Sequence, residues 1–223
     1  MVDSDSSSKL MSLLDPLYEA AIQPERWGDF LQKVAECLRV DTAGIVVHAS
    51  DSTQTAVFAD LGFSEEMRRD TEELVRFSPW VAEIQKHRPT GWYSGALDDA
   101  LSMAEFRKTE FYNEFFRKYN IEWAGGAIVF GRDGAMPGLA VARSSKQDPF
   151  DTDDKELLQK LVPHLGRVFR ICKAVSGLHE KNSAARHALD LIGTACITLD
   201  ARGRVLSMNA RAGEMISAGE FCG

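Results

Sequence analysis

The stretch 150–189, FDTDDKELLQKLVPHLGRVFRICKAVSGLHEKNSAARHAL, divides the chain. Its apolar positions Leu157, Leu158, Leu161, Leu165, Val168, Phe169, Cys172 and Val175 recur mostly at threes and fours, which draws one stripe along a helix. Asp151, Asp153 and Asp154 stand at its head, where negative charge suits the positive end of a helix dipole. Pro163 removes one backbone donor and predicts a kink rather than a stop. The pattern predicts a long helix over 151–176, with Gly177 just beyond it, and a linker helix over 177–192. Residues 10–176 then read as one domain, and 193–223 begin another.

The stripe has two readings. It is the core-facing side of a helix that closes its own domain, or it is a seam shared with a second copy. Taken as heptads, Leu158, Leu165 and Cys172 alternate with Leu161, Val168 and Val175 before the pattern turns polar. These six residues are the candidate dimerisation surface of a homodimer, since a shared helix makes a self-complementary twofold interface.

Composition narrows the classes. The 223 residues are 44% hydrophobic, enough for a core, and carry a formal charge of -7. That balance argues against non-specific binding of nucleic acid or of an acidic membrane. The cysteines Cys37, Cys172, Cys196 and Cys222 form no CxxC pair, and the first three sit in apolar patterns that suggest buried free thiols. Residues 1–9 are polar and serine-rich, which predicts a disordered tail and excludes a signal peptide. No run of about twenty apolar residues exists to span a membrane, so the expected location is the cytoplasm.

Helical faces are predicted from Leu10 to Ile22 and from Trp27 to Arg39, with Pro24 breaking and restarting the chain between them. Strands follow at 43–49 and 55–58, then a helix over 64–77 opened by Ser64. Residues 88–101 read as an irregular aromatic loop, and 102–119 as a helix dense in rings. A hairpin of 123–130 with 139–143 leads into the long helix. Beyond it, 195–199 and 204–208 read as strands, and Asn209 as the cap of a further helix. Helices and antiparallel hairpins in this order predict an α+β fold with helices on the faces of an antiparallel sheet. The thirty residues after the linker are too few for a stable core, which suggests part of a longer protein.

No enzyme motif is present: there is no HExxH, no GxSxG and no phosphate-binding loop. The five histidines lack metal-ligand spacing, and the acidic clusters lack the EF-hand register. His48 reads as a satisfied histidine at a sheet edge. No metal and no cofactor are expected. The remaining candidate is a pocket between the sheet and the aromatic segments, with Trp80, Arg88, Trp92, Tyr93, Phe111, Tyr112 and Gly126 as its residues. Arg88 is the possible anion partner, and Gly126 clears space above the strand. Such a pocket suits a small apolar or aromatic ligand with one polar end. The alternative is that the rings simply fill the core.

Three blocks carry a resemblance. LLDPLYEAAIQPERWGDFLQKVAECLRVDTAGIVVH, FYNEFFRKYNI with the GAIVF hairpin, and DPFDTDDKELLQKLVPHLGRVFRI are similar to the N-terminal region of bacterial LuxR-type helix-turn-helix regulators. ACITLDARGRVLSMNARA resembles the opening of a PAS domain. The resemblance implies a GAF-like ligand-sensing and dimerisation domain, then a PAS-like segment, with the DNA-binding domain beyond this chain. Similar modules precede histidine kinases and cyclases, so the input domain of a signalling enzyme is the alternative.

Overall fold

The computed structural model describes residues 3–49, 54–79, 81, 91–94, 103–131, 134–191 and 193–219. The chain forms two units, Met1–Ile171 and Cys172–Gly223.

The first unit opens with α1, Asp3–Ala20, which carries Pro16 inside it. Helix therefore starts within the residues expected to be a disordered tail. Once a helix is nucleated each further residue adds one hydrogen bond. A 3₁₀ turn at Pro24–Arg26 leads into α2, Trp27–Leu38, whose buried stripe is Trp27, Phe30, Leu31, Val34 and Leu38. Arg39 ends α2 in the left-handed region, with its backbone N–H on the carbonyl of Ala35.

Five strands follow: β1 Thr42–His48, β2 Thr55–Leu61, β3 Gly91–Ser94, β4 Ile121–Ile128 and β5 Met136–Ser144. They make one antiparallel sheet in the order β2-β1-β5-β4-β3. β3 lies inside the segment read from sequence as a loop. Trp92 pairs with Ala127 and Tyr93 with Gly126, which makes it an edge strand. Four residues are too few to display alternation, so aromatic strand preference alone gave no decisive signal. The opposite edge, β2, is blunted by α3, Glu65–Leu74. Glu72 accepts from the Val57 N–H at 3.0 Å, and Arg68 donates to the Val57 carbonyl at 3.1 Å. Side chains thus occupy one of the backbone pairs that an edge strand leaves open to other chains. Ser64 caps α3 by accepting from Met67 N–H.

The aromatic segment is broken into two pieces. A short helix, α4, covers Met103–Phe106, and a π-helical turn covers Tyr112–Phe116.

The long helix, α5, runs unbroken over Thr152–Leu191, forty residues with Pro163 inside. Gly177 does not separate a linker helix, because a mid-helix glycine costs only about 0.5–1 kcal/mol relative to alanine. The dimer seam expected on this helix is corrected in its first four members. Leu158, Leu161, Leu165 and Val168 are buried in the chain's own core and offer nothing to a partner, while Cys172 and Val175 are half-buried. A core stripe and a coiled-coil seam share nearly the same period, and burial decides between them.

The acidic head of α5 is more than a dipole complement. Asp154 N–H donates to Asp151 Oδ1 at 2.8 Å, and Asp151 N–H donates back to Asp154 Oδ2 at 3.3 Å, a reciprocal cap. Asp154 Oδ2 also holds Arg143 of β5 at 2.7 Å in a buried ion pair. Arg143 reaches the carbonyls of Leu38, Asp148 and Pro149 besides, and its guanidinium carbon lies 4.2 Å from the Phe150 ring centre. One satisfied buried cation therefore ties the sheet to the end of α2 and the start of α5. Trp27 anchors the same layer: it stacks on Phe169 at 6.1 Å and meets Phe30 and Phe58 edge-on.

In the second unit, β6 Ile197–Leu199 and β7 Val205–Met208 form an antiparallel hairpin, and α6 covers Ala210–Ser217. Asn209 caps α6 through Ala212 N–H, as its position predicts, and is buried. Its side chain also accepts from Cys196 N–H and donates to the Thr194 carbonyl, which knots the hairpin to the helix. Cys37, Cys172 and Cys196 are half-buried, more open than their apolar surroundings in sequence suggested.

Candidate ligand cavity

The three central strands place small residues side by side. Alternate residues of a strand face opposite sides. Read across β1, β5 and β4, one face carries the rows Thr42–Ala142–Ala124, Gly44–Ala140–Gly126 and Val46–Gly138–Ile128. Six of these nine positions hold glycine or alanine: Ala142 and Ala124 in the first row, Gly44, Ala140 and Gly126 in the second, and Gly138 in the third. Gly44 makes a close approach of its own, because a Cβ there would sit 3.2 Å from the Phe63 ring. The consequence is space: a cavity of about 160 Å³ above this floor.

Its roof comes from α3, through Met67 and Thr71, and from the π-helical turn, through Phe115 and Phe116, with Phe111 just before it. The rings pack on one another as well as on the cavity. Phe111 stacks on Phe115 at 5.6 Å, and Phe106 meets Phe116 edge-on at 5.0 Å. Both readings of these aromatics therefore hold in part: they close a core cluster and leave a void under it. A π-helical turn widens the backbone locally and recurs at functional sites. The roof is fastened outside the cavity. Lys118 bridges Glu66 at 2.8 Å and Asp70 at 2.7 Å, and the Tyr119 hydroxyl donates to Asp70 at 2.7 Å. Hydrogen bonds from Lys118 and Tyr119 hold the Asp70 carboxyl below its usual range.

The walls are apolar, and no charged residue lines the cavity among the described residues. His48, at the end of β1, is a buried polar member of the lining, with Thr71 and Ser78. Its Nδ1 lies 3.0 Å from Thr55 Oγ1. Burial disfavours the imidazolium and lowers its pKa from the ordinary 6.5 to about 4. Sequence reasoning placed this histidine at a sheet edge. β1 is internal, flanked by β2 and β5, so His48 is an interior group facing the void.

Of the residues expected to form the pocket, Phe111 and Gly126 line it. Tyr112 packs against the same ring cluster but is not part of the lining among the described residues. Trp80, Arg88 and the side chains of Trp92 and Tyr93 lie outside the described residues. Gly126 shares this floor with Ala124, Ala140 and Ala142, whose small side chains leave the space. A Cβ at Gly126 would also lie 3.0 Å from the Leu139 carbonyl oxygen. A larger residue there would strain the backbone before it filled the cavity, so Ala142 is the better position to fill.

Among the described residues, no group of three or more His, Cys, Asp or Glu is placed to hold a metal ion, and no helix is long and apolar enough to cross a membrane.

No protein-family model matches this sequence, and no curated protein matches it. Solved structures do. The VqsR LBD domain from Pseudomonas aeruginosa is similar with a TM-score of 0.59 at 16% identity, over 74% of this chain and 96% of that one. The phycoerythrobilin-bound GAF domain of a cyanobacterial phytochrome matches at 0.51 and 12%, over 75% of this chain and 97% of that one. The N-acylhomoserine lactone dependent LuxR-family transcription factor CepR2 from Burkholderia cenocepacia matches at 0.50 and 14%, over 73% of this chain and 92% of that one. The first unit thus has a GAF-like fold, an antiparallel sheet flanked by helices with a long helix on its C-terminal side.

Proposed function

We propose that this chain is the sensory region of a bacterial LuxR-type transcriptional regulator, which binds a small molecule in the cavity and acts on DNA through a domain outside these residues. The role is recognition rather than catalysis. One observation carries the reading: an apolar cavity with a buried polar group, between sheet and helices, in a fold shared with domains that hold ligands. Fold likeness to a LuxR-family transcription factor supports the output assignment. The phytochrome likeness supports a second reading with the same sensory role and a different output, the input domain of a signalling enzyme such as a histidine kinase or cyclase.

A thermal-shift screen of uncharged small molecules tests the sensory role, run on wild type and on Ala142→Leu. Compounds that fit should raise the wild-type melting temperature and leave the variant unmoved. If none stabilises the wild type, or the same compounds stabilise both proteins equally, the cavity is not the sensing site.

A further inference from the structure

We propose that the cavity selects an uncharged, largely apolar small molecule bearing one hydroxyl group, and that Nε2 of His48 is the atom that recognises it. This rests on the reading that the cavity takes a ligand and goes on to name the ligand's chemistry.

The size comes first. An apolar cavity of roughly 150 Å³ is large enough for benzene and stays dry when empty. The present one, about 160 Å³, is far below the roughly 300–1,000 Å³ of pockets that enclose drug-sized ligands. The occupant is therefore small. Its charge follows from the walls. Val46, Met67, Phe111, Phe115 and Ile128 offer no counterion, and an ionised group without one is costly to bury.

The hydroxyl follows from a buried residue of the lining that has one ring nitrogen to spare. His48 is 7% exposed. Its Nδ1 is engaged by Thr55, and Nε2 has no hydrogen-bond partner among the described residues. The other polar groups of the lining are engaged or less buried. Thr71 donates to the Met67 carbonyl of its own helix, Ser78 has interactions of its own, and Thr42 stands at the opposite end of β1. An imidazole kept neutral by burial presents Nε2 as a donor or an acceptor according to the tautomer. If the Thr55 hydroxyl donates to Nδ1, Nε2–H donates to the ligand. If Nδ1–H donates to Thr55, Nε2 accepts. A hydroxyl satisfies either case. A carbonyl satisfies only the first, and a hydrocarbon leaves the nitrogen unpaired in both.

The test uses three probes of similar size: phenol, toluene and benzoate. Binding to the whole chain is followed by the His48 ring nitrogen resonances and by melting temperature, in wild type, His48→Phe and His48→Gln. Phenol should saturate, move the Nε2 resonance and bind at least about tenfold more tightly than benzoate. His48→Phe should weaken phenol about tenfold relative to toluene, since it removes one hydrogen bond from a dry site. His48→Gln, which keeps a polar atom, should recover most of that loss. An Nε2 resonance that stays still at phenol saturation, or a phenol-to-toluene ratio unchanged in His48→Phe, overturns the assignment of His48 while leaving the cavity as a site. Benzoate binding as tightly as phenol overturns the uncharged class. Failure of all three probes overturns the inference and also counts against the cavity as a sensing site.

Discussion

The two faces of the central sheet are built from alternate residues of the same strands, yet they pack differently. Toward α2 and α5 the rows include Ile45–Leu139–Ala127 and Ala43–Val141–Gly125. Ala43, Ile45, Ala127, Leu139 and Val141 are all buried, and the same face carries the Arg143–Asp154 pair. Toward α3, the rows built on Ala140 and Ala142 leave an opening that the rings do not fill. Ala140 and Gly126 stay half-buried in the middle of a five-stranded sheet, which only an adjoining space allows. The difference shows how one sheet can be anchored by one side and left open on the other. Protein interiors are otherwise packed as densely as organic crystals.

Substitutions on the anchored face should cost most. Arg143→Met strands Asp154 as an unpaired buried carboxylate and leaves three carbonyls without their donor. Breaking a buried pair from one side costs about 3–5 kcal/mol, so urea unfolding should show a loss of that order. A loss below about 1 kcal/mol would mean that the network is solvated. Leu161→Ala, at a fully buried position of α5, should cost about 2–5 kcal/mol by the same measurement.

A smaller effect should appear with pH. The folded protein keeps His48 neutral down to about 4, while the unfolded chain takes up a proton near its ordinary 6.5. The contribution is therefore intact above 6.5 and is lost as pH falls through that window toward 4. Linkage puts it on the order of 3 kcal/mol. His164, also lowered by burial and by Arg167, adds a loss of the same sign. His48→Gln should therefore flatten the stability profile between pH 7 and 4.5 without abolishing its slope. An unchanged profile would place His48 in contact with water.

Much of the fold is legible in sequence because its signals are local. Ser64 and Asn209 announce helix starts with side chains that the structure uses as caps. The apolar stripes of α2 and α5 mark real core faces. What stays hidden depends on partners distant in sequence. The stripe of α5 cannot say whether its cover is another helix or its own sheet. β3 exists because β4 pairs with it. The cavity floor is the least legible feature. Ala124, Ala140 and Ala142 look ordinary in their own strands and form a floor only when the register brings them together. His48 stands out only once β1 is known to be an interior strand.

Filling the open face should have the smallest effect on stability. Ala142→Leu places a larger side chain toward existing space, so it should change stability by less than about 1 kcal/mol, against the roughly 1–3 kcal/mol typical of overpacking a filled core. A loss in the overpacking range would show that the rings already close the face.

The most direct measurement of the contrast is xenon binding, because xenon enters dry apolar cavities of this size without needing a polar partner. Methyl resonances followed under increasing xenon pressure should shift and saturate for Ala124, Ala140 and Ala142, stay fixed for Ile45 and Leu139 on the other face, and lose their response in Ala142→Leu. Equal response on both faces, or none on the alanine floor, would contradict the account.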